Sequence, residues 1–573
     1  MKRSRVHRMA LAWALATAVG CAAARAAQPV LLARGCAPNI NALLQKVGRL
    51  AEKFAPGSGA QFAAQVGGFI RSPMWAGVDW GKPATIVLLG GKAFGKTEPV
   101  PVMVLPLADP QAWQQAHPPN APMPMHFKIT GNQVVVAQEK AAVGVIGPQL
   151  LALYSKAPKL AAGTDLYGTI YIGRLIAEYR PEIEQAIGEL KEKTANQPMV
   201  GPAAMMDKFV RAALPLANMA GKQLRRLTLT ITLNNDDVEI AGRVYAEPDT
   251  ELATLFNGQP KEMTDLAKFL PAETVFAGAG KLDIQKVKPL LEAALATLAE
   301  PLGLTQEAMA KVRKLVLESG QTGESAGCVA AGPTHPGMQI VAVHRLADAA
   351  QFREGIKASV EFIAGGPFAG MLKGMGMQMT VDHKPNARQY KGIPVDRFTI
   401  TTGPAPGTQP NPMMGQPTTQ VIEIAVVGNY AVMSQNNPGG DLLNSTLDRV
   451  KGEAGGPTLA TSAPFKAACA VAPKDASLVF HVCFNGFMAK MMEQVAQQQP
   501  AVAMMFGALF KAEPNEQPFT GYMRFDQGRL DYALRIPHQP IVAMVNRIKA
   551  AMQQRRQPGP GQQGARPQPD DDF

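Results

Sequence analysis

Cysteine is scarce in this chain. Five occur in 573 residues, and no two form a CxxC pair or stand beside a histidine at metal-ligand spacing. That excludes the ribbon and finger frameworks of small zinc domains. The eight histidines are scattered, with no HExxH or paired arrangement, so no catalytic zinc site is indicated. Charge is sparse too: 18% of residues are charged against 46% hydrophobic. That balance excludes a disordered chain, permits a buried core, and at this length suggests two or more domains. Long apolar runs are missing after the first 26 residues. No later stretch reaches the ~20 residues of a membrane span without charge, Pro or Gly.

What is present begins at the N-terminus. Lys2, Arg3, Arg5 and Arg8 form a basic region without an acid, an Ala-rich apolar stretch follows from Met9 to Ala24, and Ala24-Arg25-Ala26 offers a small-x-small cleavage site before Ala27. Residues 1–26 read as a signal peptide, since the apolar stretch is shorter than a spanning helix. Lipid attachment at Cys21 is the alternative, although Ala18 stands three positions before it, where Leu is usual. Cleavage leaves Cys36, Cys328, Cys469 and Cys483, as one or two disulfides in an oxidising compartment or as isolated buried thiols. It also removes five basic residues and no acid, lowering the formal charge from +12 to +7. Over a chain of this size that is a mild basic surface and no nucleic-acid footprint. The expectation is a periplasmic or extracellular protein without a transmembrane span.

A search for repeats finds collinear pairs. Leu107-Ala108-Asp109 with Trp113 recurs as Leu346-Ala347-Asp348 with Phe352. Gly131-Asn132-Gln133-Val134-Val135-Val136-Ala137-Gln138 recurs as Gly428-Asn429-Tyr430-Ala431-Val432-Met433-Ser434-Gln435. Residues 166–172 match 478–484 in pattern, and Val238-Glu239-Ile240-Ala241 matches Leu530-Asp531-Tyr532-Ala533. The order is the same in both halves. This predicts a first copy over 27–257 and a second over 270–551, with a Gly-, Pro- and Met-rich insertion at 363–417. Residues 552–573, made of Gln, Pro, Gly and charge, read as a disordered tail. Within each copy, β-branched runs alternate with turn residues: the Asn234 to Asp237 cluster between two such runs is a hairpin signature, repeated around Asp526-Gln527-Gly528. Asp109 can cap a helix that starts at Pro110. Helices are expected over 174–192, 203–220, 284–299 and 306–318. The fold class is α+β: two tandem copies of a mostly antiparallel sheet domain with helices packed on one face.

Phe269-Leu270-Pro271-Ala272-Glu273-Thr274-Val275 and Ala472-Pro473-Lys474-Asp475-Ala476 each open a strand. With the tandem layout, they make the chain similar to a family of exported bacterial proteins carrying a domain of unknown function. The resemblance covers most of the chain after the signal peptide and implies an exported tandem protein with no assigned catalytic residues.

Three motifs carry possible chemistry. Residues 90–97, GGKAFGKT, match the P-loop pattern, but Glu98-Pro99-Val100-Pro101 follows where phosphate binding requires a helix. Lys96 is therefore expected to bind no nucleotide. Gly323-Glu324-Ser325-Ala326-Gly327 matches the GxSxG elbow with the strand and helix in inverted order; Asp396, His481 and His538 lie downstream, and no oxyanion segment accompanies them. Met371, Met375, Met377 and Met379 could suit Cu(I), although Met also fills packing gaps. No catalytic, cofactor or metal residue is assigned on these grounds. The expected function is an exported non-catalytic binding or structural component of the cell envelope, with an envelope protein or a hydrophobic ligand as partner. The alternatives are a serine hydrolase using Ser325 and a carrier of lipid or another hydrophobic ligand.

Overall fold

The computed structural model describes residues 29–118, 125–146, 160, 163–195, 215–302, 305–317, 319–331, 338–365, 377–405, 418–437, 439–498, 507–513 and 515–556. The expected signal peptide with Cys21, part of the expected helix at 203–220, Met371, Met375 and nearly all of the expected tail lie outside these residues.

Among the described residues eighteen strands, numbered along the chain, form one antiparallel ladder. From one edge it runs β4 (His126–Thr130), β5 (Gln133–Ala137), β3 (Val100–Pro106), β2 (Ala84–Leu89), β1 (Leu31–Ala37), β6 (Leu166–Ile170), β7 (Leu224–Leu233) and β8 (Asp237–Ala246). It continues with β18 (Arg529–Pro537), β17 (Phe519–Asp526), β16 (Leu478–Val482), β9 (Thr274–Lys281), β10 (Gln321–Ala330), β11 (Ile340–Leu346), β15 (Tyr430–Gln435), β14 (Thr418–Val427), β13 (Ile393–Pro404) and β12 (Met377–Tyr390). When β9, β10, β11 and β14 to β18 are set against β1 to β8 in order, every pairing within the one set of eight has its counterpart in the other, and only the β12–β13 and β13–β14 pairings of the second half stand outside the match. The halves meet at β8 and β18, where Ala241 stands opposite Ala533.

The helices are α1 (Ile40–Phe54), α2 (Ser58–Ile70), α3 (Pro110–Ala116), α4 (Lys140–Val145), α5 (Ile172–Ala195), α6 (Glu251–Gly258), α7 (Ile284–Leu302), α8 (Gln306–Leu317), α9 (Ala349–Gly365), α10 (Asp441–Lys451), α11 (Ala463–Val471), α12 (Phe484–Gln498) and α13 (His538–Arg556), with a further helical run at 215–223.

The correspondence extends to single atoms. Asp109 accepts the N–H groups of Gln111 and Ala112 at 2.8 and 3.0 Å, and Asp348 those of Ala350 and Gln351 at the same distances. One turn on, Trp113 and Phe352 are 1% and 6% exposed. Each helix start is held by a glycine at positive φ: the N–H of Ala108 donates to the Gly77 carbonyl and that of Ala347 to the Gly320 carbonyl, both at 2.8 Å. A Cβ on Gly77 would lie 2.2 Å from the Asp109 carbonyl oxygen, and one on Gly320 would lie 2.3 Å from that of Asp348, so neither site admits a side chain.

One expectation changes. The helices cover both faces of the sheet. Val134, Val135, Val136 and Ala137 of β5 are all buried, and a strand apolar on both sides needs cover on both. Val134 and Val136 pack with Trp113 of α3, whereas Val135 and Ala137 pack with Ala142 and Val143 of α4. The second half repeats this, with Phe352 of α9 over Ala431 on one face and Leu443 of α10 near Val432 on the other. The Gly-, Pro- and Met-rich insertion also contains the longest hairpin of the sheet, β12–β13. Burial alternates along the first eight residues of β12, the period of a half-covered strand. Pro385, which has no backbone N–H to donate, is tolerated there because β12 is an edge strand and its register with β13 shifts between Lys384 and Arg388.

Candidate functional site

Among the described residues neither the P-loop match nor the GxSxG match is assembled into a site, and Met371 and Met375 of the third motif lie outside them. In the glycine-rich loop the N–H of Gly91 donates to the Tyr179 hydroxyl at 3.0 Å and that of Lys92 to Glu178 at 3.2 Å. Lys92 and Lys96 are paired with Glu182 and Glu139. The donors that would cradle a phosphate are occupied, and β3 follows the loop in place of a helix. Ser325 lies in the middle of β10, paired with His344 on β11 and Gly280 on β9. His344 shares its face, yet among the described residues no hydrogen bond joins the two and no carboxylate orients the imidazole, which burial holds below its ordinary pKa. Asp396 accepts the Asn386 N–H, His481 meets the Thr274 hydroxyl and His538 the Asn235 carbonyl, so none of the three serves Ser325. Met377 and Met379 are half-buried on one face of β12. Cys36, Cys328, Cys469 and Cys483 are all free thiols, and burial pushes Cys328 and Cys483 up to about 12. Among the described residues no group of three or more His, Cys, Asp or Glu could hold a metal, and no helix is long and apolar enough to cross a membrane.

What the structure does assemble is an apolar groove of about 490 Å³ in the first half. β2 is apolar on both sides: Val87 is buried toward α4, and Ile86 faces the other way. There it is 51% exposed. Met103, Ile86, Gly35, Gly168 and Leu229 form one cross-strand row over β3, β2, β1, β6 and β7. This row is the floor. Ile40, Phe69, Trp75 and Trp80 make the wall at one end. The three aromatics touch in sequence, Phe69 tilted against Trp75 and Trp75 edge-on to Trp80, each pair 5.7 Å between ring centroids. Phe69 itself is 59% exposed. The wall stands where it does because Ser72 caps the short turn Pro73–Trp75, and α1 with α2 forms a helical hairpin in which no residue is fully buried.

No family model, curated protein or solved structure matches the chain.

Among the described residues no charged side chain lines the groove. Its two small floor positions matter most. A Cβ on Gly168 would meet nothing within 4 Å, and one on Gly35 only the Tyr167 carbonyl oxygen at 3.9 Å. The matching row of the second half is Ala342, Gly327, Gly278, Phe480 and Gly521. Phe480 holds the place of Gly168, and its ring lies so close over Gly521 that a Cβ there would come within 2.4 Å of it. Motif-seeking sequence reasoning missed the groove. Its signals were a strand with no polar face at Thr85 to Leu89 and two tryptophans five residues apart.

Proposed function

We propose that the chain is an exported, non-catalytic binding protein that carries a small apolar ligand, such as an acyl chain, in the groove of its first half. The observation that carries this reading is the groove itself: an apolar floor, an aromatic wall and, among the described residues, no charge in the lining. Its volume falls within the roughly 300–1,000 Å³ of ligand pockets. Exposed apolar surface of this kind is costly in water unless something covers it. On this reading the two halves are tandem copies of one domain, supported by the matched pairings and the matched Asp109 and Asp348 caps. In the second copy Phe480 fills the place that Gly168 leaves open. Ser325, held in a ladder and served by no base, gives no support to a hydrolase. Export rests on the basic, apolar and small-x-small pattern of residues 1–26.

Titration with a long-chain fatty acid brominated along its tail tests the binding. Saturable quenching of Trp75 and Trp80 emission is expected. Absence of quenching, together with no lipid released from the purified protein on denaturation, overturns the reading. N-terminal sequencing of the native protein tests export: a start near Ala27 is expected, and retained Met1 in a cytosolic protein refutes it.

A further inference from the structure

A second cavity, of about 470 Å³, lies where β6 runs into α5 and the helical run at 215–223 runs into β7. Arg174, Lys222, Arg225 and Arg226 line it together with a single acid, Glu247. Elsewhere the chain pairs its cations freely with carboxylates. Here, among the described residues, none of the four makes an ion pair. Two guanidinium groups are set in place by ring faces: Arg174 sits 4.6 Å from the Tyr171 centroid and Arg226 4.0 Å from that of Tyr245. Stacking fixes the plane of a guanidinium and leaves its N–H donors free to point elsewhere. The Nε of Arg226 is buried and meets no acceptor, a costly state for a charged donor. Gly173, in the first turn of α5, also lines the cavity. That turn contains no acid. The positive end of the helix dipole adds to the four cations.

We propose that this cavity is a binding site for a multiply charged oxyanion of the phosphate class. A carboxylate accepts from two donors in one plane, and four cations converging with a helix start call for a tetrahedral group with several acceptor oxygens. Glu247 sets a limit on affinity by repelling the ligand. The site does not depend on the apolar groove. A soluble phosphate or phosphomonoester and the headgroup of an anionic phospholipid share the required chemistry.

The test uses the full chain without its first 26 residues. Inorganic phosphate is titrated calorimetrically at low ionic strength, and vesicles of phosphatidylcholine with or without phosphatidic acid are co-sedimented with the protein. Either ligand should bind the wild type, and R174Q/K222Q, which alters two exposed side chains, should weaken that binding about tenfold per cation removed. E247Q should tighten it, a change that loss of folding cannot mimic. Binding of phosphate assigns the site to a soluble ligand, and binding of phosphatidic acid vesicles alone assigns it to a headgroup. If neither binds, or if R174Q/K222Q and E247Q both bind as the wild type does, the inference is overturned.

Discussion

The Gly168→Phe substitution separates the groove from the fold. Gly168 lies on β6 at an ordinary strand conformation, and the space above it is open. Leu229 bounds one side, so a phenyl ring at 168 is expected to lie toward Gly35 and Ile86, across the floor. There it displaces roughly four methylene groups of a bound chain at about 0.8 kcal/mol each, a loss on the order of a hundredfold in affinity. Stability should move the other way. Glycine in the middle of a strand costs about 0.5–1 kcal/mol, and a phenyl ring adds apolar contact with Ile86. Brominated fatty acid quenching measures the first effect and urea unfolding the second. The expected signature is weaker binding in a more stable protein. If the variant binds like the wild type, the ligand does not lie on this floor. If binding and stability fall together, the space above Gly168 is not open in solution, and the argument fails at its first step.

Trp113→Ala and Phe352→Ala should each cost about 3–5 kcal/mol in urea unfolding, because both rings are buried beneath equivalent caps; a small cost in only one of them would break the equivalence. Gly77→Ala and Gly320→Ala should each destabilise by about 2 kcal/mol or more, since both need positive φ and a Cβ would strike a backbone oxygen. Glu423, 3% exposed, accepts hydrogen bonds from Arg388 and Arg397 at 2.7 Å each. Burial alone would raise its pKa, and the two arginines outweigh burial and hold it below the ordinary 4.5. The unfolded chain therefore binds this proton more readily than the folded one. The stability it contributes is full above pH about 4.5 and is lost as pH falls through the lower folded value. Glu423→Gln should flatten that part of the acid limb in pH-dependent unfolding; an unchanged limb would assign the acid sensitivity to other carboxylates.

Local rules carried the sequence reading furthest where one residue decides one contact. Asp109 and Asp348 were legible as caps because a carboxylate before a helix start has one favourable use. The β7–β8 and β17–β18 hairpins were legible because turn residues sit between β-branched runs. The two-sided helix cover was written in Val134 to Ala137 as well, but it needed the run read as a strand with two buried faces. The β12–β13 hairpin was hidden by composition: Lys384, Pro385 and Asn386 look like loop residues and are admitted because an edge strand leaves one side of its backbone to solvent. The groove was hidden for a different reason. Its floor joins residues 35, 86, 103, 168 and 229, brought into one row only by strand order, and its decisive member is a glycine that contributes the absence of a side chain.

The joint between the halves has a consequence for how such a chain could arise. Ala241 faces Ala533, its own counterpart, while Ile240 faces Leu534 and Gly242 faces Tyr532. This is the reciprocal pattern of a two-fold contact between identical subunits. If the halves descend from one domain, a solitary ancestor already possessed the strand edge its twin required, and two copies could close on each other before any fusion existed. Joining them through residues 258–269 turns an encounter between molecules into a contact within one. The assembly then no longer depends on how many copies share a compartment.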